Sequence, residues 1–213
     1  MHSLNSGYKH ISLHSCDWNN LLARFPIYAV KKNYRAIGID DGPFEKGKDA
    51  FSMMVGVLMR ADFLIESVSM ERITVDGTDS TDRIIEMIEN DFKRNAAVIM
   101  TYGVTFGGFN VADLFKVNLE TGIPVISITR KRPDMDSIVS AIVNTQQEAY
   151  YKLGIMNSYH IQELALENGS SIFINPIGID VKSSLSFIKK LTRTGNIPEP
   201  IRIANIVASA LKK

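Results

Sequence analysis

Three apolar segments follow one another early in the chain, and the connection between the last two is very short. They cover residues 34–41, 50–60 and 63–75, and only Ala61 and Asp62 separate the last two. Such runs favour extended backbone, and two of them joined this closely favour a β-hairpin. The chain is therefore expected to fold around an antiparallel meander.

The third of these segments carries apolar residues of both parities. Val68 and Met70 alternate with polar residues, whereas Ile73 and Val75 fall on the other parity. Because successive side chains of a strand point to opposite faces, this change predicts a β-bulge near residues 71–72.

The remainder of the chain alternates between extended and helical patterns. We predict helices at residues 80–92, 110–120, 136–153, 181–192 and 200–211, and strands at residues 96–101, 123–129 and 171–175. A meander followed by this alternation predicts a mixed sheet, in which right-handed crossovers add parallel strands. The predicted fold class is α/β, with the ribonuclease H-like order of three antiparallel strands and then β-α-β-α-β, flanked by helices.

Length and composition favour one domain without a strong overall charge. The 213 residues suit a single domain at residues 33–213, preceded by a polar extension or peripheral segment at residues 1–32. With 24 Lys and Arg against 23 Asp and Glu, the net charge is +1, so nucleic acid would have to contact a local patch. The single cysteine excludes an internal disulfide, and no apolar run approaches the ~20 residues of a membrane-spanning helix. We expect a cytoplasmic protein that does not bind membranes.

Two adjacent carboxylates end the first extended segment. Residues 38–43 read Gly-Ile-Asp-Asp-Gly-Pro, and the strand stops there because Pro has no N–H to donate. Only one of the two acids can lie on a given face of the sheet. We assign Asp40 to a catalytic site and Asp41 to a supporting or turn position. The alternative is that the whole segment is only a turn.

Further carboxylates follow the third segment. In a mixed sheet the first strand ends beside the fourth, and the loop that enters the next helix can bring Asp76 and Asp79 towards Asp40. Mg²⁺ prefers oxygen ligands, usually one or two carboxylates with water and substrate phosphate, so these three acids are predicted to bind Mg²⁺ or Mn²⁺. The alternatives are a turn at Asp76 and a helix cap with a favourable dipole at Asp79 and Asp82.

A glycine-rich loop and a run of cations are predicted at the same edge of the sheet. Residues 103–110 precede a predicted helix, and free N–H groups at a helix N-terminus bind anions readily. Residues 130–132 follow the predicted fifth strand and suit a phosphate backbone. The candidate nucleic-acid contacts are Gly107, Gly108, Asn110, Arg130, Lys131 and Arg132. The alternatives are a tight strand-to-helix connection, a solvated basic loop and a domain that binds a small phosphorylated molecule.

Two prolines flank Glu199 shortly before the last predicted helix. Pro200 suits the first helical turn, because its missing N–H would have no partner there. Glu199 and Arg202 stand three residues apart, so we predict an ion pair that fixes this helix on the sheet. The alternative is that Glu199 contributes a carboxylate to the metal site.

Four motifs occur in a fixed order along the chain. They are Gly-Ile-Asp-Asp-Gly-Pro-Phe at residues 38–44, Val-Asp-Gly-Thr-Asp-Ser-Thr-Asp at 75–82, Gly-Val-Thr-Phe-Gly-Gly-Phe-Asn at 103–110 and Pro-Glu-Pro-Ile-Arg-Ile-Ala at 198–204. Together they resemble the archaeal endonuclease dU family, and the resemblance runs from Tyr34 to the C-terminus. More distantly, the chain is similar to endonuclease V, a ribonuclease H-like, Mg²⁺-dependent enzyme that cuts nucleic acid near deaminated bases.

The resemblance implies a metal-dependent endonuclease of the nucleic-acid repair type, acting on uracil-containing or otherwise deaminated DNA by phosphodiester hydrolysis. It implies that Asp40 holds metal and that Arg130 or Lys131 corresponds to a lysine after the fifth strand; we choose Lys131 as catalytic. Tyr102 stands where the family has an Asp after the fourth strand, and Asn205 stands where a relative has a His. An alternative is therefore a catalytically weak or inactive nucleic-acid-binding protein on the same scaffold. Damaged DNA is the expected partner, and a homodimer is left open.

Overall fold

A seven-stranded mixed β-sheet forms the centre of the computed structural model, which describes residues 34–145, 148–166 and 169–211. The extension predicted at residues 1–32 lies outside the described residues. The strands of the sheet are β1 (Arg35–Asp41), β2 (Phe51–Arg60), β3 (Ile65–Thr74), β4 (Val98–Tyr102), β7 (Val125–Thr129), β8 (Gln162–Ala165) and β9 (Ser171–Ile177), in the spatial order β3-β2-β1-β4-β7-β9-β8. A separate hairpin is made by β5 (Thr105–Phe106) and β6 (Asn110–Val111).

Helices pack on both faces of the sheet. They are α1 (Ser80–Glu86), which continues into a wide turn at Met87–Asp91, α2 (Leu114–Thr121), α3 (Met135–Thr145), α4 (Ala149–Asn157), α5 (Val181–Leu191) and α6 (Glu199–Ala210). Apolar residues of α1 and α2 share one core cluster with Ile37 and Ile39 of β1. Residues of α5 and α6 share another with Ala36 of β1, on the opposite face. In the part of the chain that the structure describes, no helix is both long enough and apolar enough to cross a membrane.

The strand order confirms the ribonuclease H-like prediction. β1, β2 and β3 form an antiparallel meander, and β4 and β7 are added parallel to β1. The prediction of a further parallel strand at residues 171–175 was wrong, because β9 pairs antiparallel with β7. The crossover through α3 and α4 returns as β8, and the β8–β9 hairpin then reverses the chain so that β9 inserts between β7 and β8.

The predicted bulge at residues 71–72 is absent from β3. The register between β2 and β3 is unbroken there, and it shifts only between Leu58 and Met59. Val68 and Met70 are exposed on one face, whereas Ile73 is buried on the other. The change of parity therefore reflects an edge strand with apolar residues on both of its faces.

Two predicted helices have different limits in the structure. The helix predicted at residues 136–153 is divided into α3 and α4, and Glu148 before α4 has a left-handed backbone conformation with φ of 61°. The helix predicted from Asn110 begins instead at Leu114, because the Asp113 side chain accepts the Lys116 N–H and caps it.

The start of α6 approaches β1 unusually closely. A Cβ atom at Gly38 would overlap the backbone of Pro200 and Ile201, so this contact requires glycine. The ion pair predicted between Glu199 and Arg202 at the start of α6 is confirmed, since Arg202 Nε donates to Glu199 Oε2 at 2.8 Å. This close docking places α6 over the end of β1.

Candidate active site at the carboxyl edge of the sheet

Asp40 lies beneath α6 at the end of β1. It shares a face of the strand with Gly38, and its side chain is only 4% exposed. Its Oδ1 accepts the N–H of Asp41 at 2.9 Å, and its carboxylate is also hydrogen-bonded by the side chain of Asn205 on α6. Burial raises the pKa of Asp40 to about 7; the negative charge of Asp41 adds to this effect, and the two hydrogen bonds oppose it.

Tyr102 ends the neighbouring strand β4 beside Asp40. The parallel register pairs Ile39 with Thr101, so the next residues, Asp40 and Tyr102, end adjacent strands on the same face. Tyr102 is half-buried and packs against the cluster formed with α5 and α6. The structure thus places a phenol, and not a second carboxylate, next to Asp40.

Asp41 points to the opposite face of β1 and holds the glycine-rich loop. Its Oδ2 accepts the Gly107 N–H at 2.8 Å. Burial raises the pKa of Asp41, and the Gly107 N–H opposes that rise. Asp41 therefore supports the glycine-rich loop at residues 103–110, which leads through β5 into β6.

Asp76 holds the same loop from its other side. The Asp76 N–H donates to the Gly107 carbonyl at 2.8 Å, and Asp76 Oδ1 accepts the Phe109 N–H at 2.8 Å. Asp76 has a left-handed conformation with φ of 55°, which is uncommon outside glycine. A Cβ atom at Gly108, whose φ is 88°, would overlap Asp76 Oδ1, so glycine is required there.

Asp79 and Asn110 close the end of β3. The Asp79 carboxylate accepts Thr74 Oγ1 at 3.0 Å and Asn110 Nδ2 at 2.6 Å, and it also accepts the Thr74 N–H. Asn110 Oδ1 accepts the Ser80 N–H at 3.0 Å and so caps the start of α1. Asn110 is fully buried in this structural role, and its contact with nucleic acid stays a prediction.

Lys152 on α4 lies under the Asp76 turn and was not anticipated from the sequence. Its side chain is 1% exposed, and its Nζ donates to the Asp76 carbonyl. Burial lowers the pKa of Lys152, and the charges of Asp76 and Glu148 oppose this shift. One available signal was its position as the only charge within an apolar stretch at residues 149–156.

The three cations after β7 border a cavity of about 780 Å³. Because β7 is parallel to β4, Arg130, Lys131 and Arg132 leave the sheet at the same edge as Asp40. The cavity is lined by these residues together with Tyr102, Gly103, Val104, Thr105, Ser127, Thr129, Pro133, Met135, Ile138, Met156, Tyr159, His160, Ile161, Phe173 and Asn175. The Arg132 guanidinium lies 5.9 Å from the centre of the Phe173 ring. Asn175 Oδ1 is buried and accepts no hydrogen bond from the described residues.

The predicted metal ligands divide into two groups. Asp40 faces α6, whereas Asp76 and Asp79 are bonded to the loop that Asp41 holds on the other face. Within the described ranges, no group of three or more His, Cys, Asp or Glu side chains is arranged to hold a metal ion. The metal-binding role of Asp40, Asp76 and Asp79 and the catalytic role of Lys131 stay predictions.

The strand order and the acid at the end of β1 define a ribonuclease H-like protein. A family model described as Endonuclease dU matches residues 32–212. A UPF0215 protein of Thermococcus kodakarensis is 34% identical over 189 residues, which cover 87% of this chain and 95% of that protein. A UPF0215 protein of Thermoplasma volcanium is 38% identical over 182 residues, covering 85% and 91%. The chain belongs to the endonuclease dU family.

Solved structures agree with this fold. The crystal structure of a protein of unknown function from Archaeoglobus fulgidus has a TM-score of 0.74 and 31% identity, covering 84% of this chain and 98% of that one. Endonuclease V of Ciona intestinalis, solved with a 24mer DNA that contains an inosine, has a TM-score of 0.57 and 12% identity, covering 90% and 94%. The fold is therefore that of endonuclease V.

Proposed function

We propose that the protein is a divalent-metal-dependent endonuclease of the repair type, which hydrolyses phosphodiester bonds in uracil-containing or otherwise deaminated DNA. Membership of the endonuclease dU family and the fold of endonuclease V support a nuclease. The binding of inosine-containing DNA by the Ciona protein supports a deaminated substrate. The observation that carries the proposal is the buried Asp40 carboxylate, which forms no ion pair with any described residue and lies one strand from a basic cavity.

The residues around Asp40 fit one divalent cation better than a pair. Mg²⁺ is commonly bound by one or two carboxylates, with water and substrate phosphate completing its ligands. Asp40 supplies a carboxylate and Asn205 a neutral amide, but Tyr102 supplies no second carboxylate. A bound Mg²⁺ or Mn²⁺ would activate a water molecule and offset charge on the phosphate. In this arrangement Asp76 and Asp79 shape the glycine-rich loop.

The basic segment binds the nucleic-acid backbone in this proposal. Arg130, Lys131 and Arg132 are exposed and can each contact a phosphate, and Lys131 offsets negative charge near the scissile bond. The adjoining cavity has a volume typical of small-molecule sites, and it combines aromatic walls with Asn175 Oδ1, which accepts no hydrogen bond from the part of the chain that the structure describes. The cavity suits a nucleotide that is flipped out of the DNA duplex.

The test is a cleavage assay on matched strands that contain deoxyuridine, deoxyinosine or only normal bases. We expect Mg²⁺- or Mn²⁺-dependent cleavage of the modified strands, lost in Asp40→Asn because the ligand carboxylate is removed. Asp82→Asn is the matched control, since Asp82 is exposed and paired with Lys116. Equal activity of Asp40→Asn and wild type would reject the metal assignment, and cleavage restricted to undamaged strands would reject the repair function.

The second candidate is a nucleic-acid-binding protein with little or no turnover. The observation that favours it is Tyr102 beside Asp40, in place of the acid that the family has after the fourth strand. Binding of the same strands without cleavage under either metal would select this candidate. In that case Tyr102→Asp should introduce metal-dependent cleavage if the absent carboxylate is the only deficiency.

A further inference from the structure

The cavity beside the basic segment has one face of the β7–β9 strand pair as its floor. Ser127 stands opposite Asn175 in the antiparallel register. Thr129 and Phe173 form a second opposite pair two residues further along, and all four residues line the cavity. The intervening Ile174 packs in the core cluster shared with α5 and α6, so the cavity lies on the other face of the sheet. Asn175 and Phe173 are therefore neighbours on this floor, roughly 7 Å apart along one strand.

Apolar walls and cations surround this floor. The Arg132 guanidinium lies 5.9 Å from the centre of the Phe173 ring, so a cation is held beside the floor, close to Asn175. Arg and Lys side chains donate hydrogen bonds and accept none, so the basic segment brings only donors to the cavity. α3 and α4 supply three apolar wall residues, which are Met135, Ile138 and Met156.

Asn175 brings an unpaired acceptor to the same floor. Its Oδ1 is buried and accepts no hydrogen bond from any residue that the structure describes. By contrast, the Tyr159 hydroxyl donates to the Ala112 carbonyl, and Thr129 Oγ1 donates to the Lys131 carbonyl. A buried acceptor without a partner is unfavourable, and an N–H group bound in the cavity would remove that cost.

The Asn175 amide can turn towards a bound molecule. The last torsion of an Asn side chain has a broad, roughly two-fold energy profile, and no hydrogen bond from the described residues holds Oδ1 in place. The Ser127 hydroxyl opposite it both donates and accepts, so it is compatible with either orientation of the amide. Rotation about this torsion therefore brings Oδ1 to the cavity.

This arrangement of donors and acceptor matches the edge of a deaminated base. Uracil and hypoxanthine have a carbonyl where cytosine and adenine have an amino group, and the adjacent ring nitrogen carries a hydrogen. With the carbonyl towards the cations, the ring N–H faces Asn175. A parent base in the same position would set its amino group against the cations and a bare ring nitrogen against Oδ1. Turning the amide to present Nδ2 would relieve only the second of these conflicts.

We propose that Asn175 helps to determine which bases the cavity accepts, because its Oδ1 accepts the ring N–H of a deaminated base, N3–H in uracil or N1–H in hypoxanthine. This inference rests on the proposed function, since it takes the modified nucleotide to occupy the cavity. Thymine and guanine also carry a ring N–H, so Asn175 distinguishes a deaminated base from its parent, cytosine or adenine.

The test measures binding of the full chain to short single strands by fluorescence anisotropy with a chelator present. Each strand consists of deoxyadenosine around one central deoxyuridine, N3-methyldeoxyuridine or deoxycytidine. We expect wild type to bind the deoxyuridine strand roughly tenfold more tightly than the other two, because only uracil pairs with the buried acceptor. Asn175→Leu should bind the deoxyuridine and N3-methyldeoxyuridine strands equally, since Leu has a similar size and no acceptor.

Two further variants complete the experiment. Asn175→Asp keeps an acceptor and should restore the preference for deoxyuridine over N3-methyldeoxyuridine. Asn95→Leu, at an exposed position before the start of β4, is the matched control and should behave as wild type. Asn175→Leu removes an unpaired buried acceptor, so its thermal midpoint should not fall.

The outcomes separate this inference from the proposed function. Equal binding of the deoxyuridine and N3-methyldeoxyuridine strands by wild type would overturn the role of Asn175. The same preference in Asn175→Leu as in wild type would also overturn it, because a methyl group that is merely too large would be rejected by both proteins. Cleavage plays no part in this measurement, so an absence of turnover would count against the proposed function alone.

Discussion

The burial of the Asp40 carboxylate is energetically unfavourable. Asp40 loses its hydration beneath α6, and among the described residues the Asp41 N–H and the Asn205 amide compensate for that loss. A strand-end aspartate with no site to serve would be expected to remain solvated in a turn. The burial of Asp40 therefore favours the catalytic interpretation of residues 38–43 over a simple turn.

The raised pKa of Asp40 predicts a specific dependence of stability on pH. The unfolded side chain releases its proton near pH 3.8 and the folded one near pH 7, so between these values the native state binds more protons. The free energy of unfolding then falls as pH rises, by up to about 4 kcal/mol above pH 7. Asp40→Asn removes this cost, so its stability relative to wild type should increase from pH 4 to pH 8.

This prediction is checked by urea unfolding at several pH values with a chelator present. The chelator is needed because a bound cation would favour the charged carboxylate and hide the effect. Asp82→Asn serves as the exposed control and should show a constant difference from wild type. A constant difference for Asp40→Asn as well would contradict the buried position of the carboxylate.

At the scale of elements, patterns of local sequence predicted most of the strands and helices. The meander follows from three apolar runs, and the end of β1 beside β4 follows from the alternation that comes after it. The partners of Asp79 depend on tertiary geometry, since Asn110 is 31 residues further along the chain. Lys152 contacts an Asp76 carbonyl 76 residues away, and no local pattern encodes such a distance.

The contact between β1 and α6 predicts a stability difference between two glycine positions. Gly38→Ala forces α6 away from the sheet, because the new Cβ would overlap backbone atoms of Pro200 and Ile201 that cannot rotate aside. Overpacking of this kind typically costs about 1–3 kcal/mol, so a clear fall in the thermal midpoint is expected. Loss of α6 contact should also expose Asp40 and weaken the site.

Gly154→Ala is the matched control for that substitution. Gly154 lies within α4, and nothing lies within 4 Å of its added Cβ. Ala is favoured over Gly in helices by up to about 1 kcal/mol, so this variant should be slightly more stable than wild type. Thermal unfolding of both variants gives the comparison, and equal midpoints would show that α6 does not dock on Gly38.

At the scale of the whole molecule, the net charge is small, and positive charge is concentrated in one short segment after β7. The net charge is +1, so the overall field attracts nucleic acid only weakly. The carboxylates of Asp40 and Asp41 are largely withdrawn from solvent, whereas Arg130, Lys131 and Arg132 are exposed at the same edge. Nucleic acid approaching this edge therefore meets these three cations before it meets Asp40 and Asp41.

This arrangement predicts the salt dependence of nucleic-acid binding. Each phosphate contact contributes about −0.9 to the slope of log K against log salt for duplex DNA, through release of counterions. Replacing Arg130 and Lys131 together by Ala should therefore make the slope shallower by up to about 1.8 if both contact phosphate. Fluorescence anisotropy with a chelator present measures binding without cleavage, and both side chains are exposed, so folding should be unaffected.

A matched double variant distinguishes direct contact with phosphate from the effect of the protein's net charge. Arg94 and Lys190 are exposed cations on other elements, and replacing both by Ala removes the same charge from the molecule. Because interactions beyond the Debye length of about 8 Å are screened at physiological ionic strength, this control should keep the wild-type slope. Equal slopes for the two double variants would show that the basic segment after β7 is only a solvated loop, and would move the nucleic-acid interface to another face of the protein.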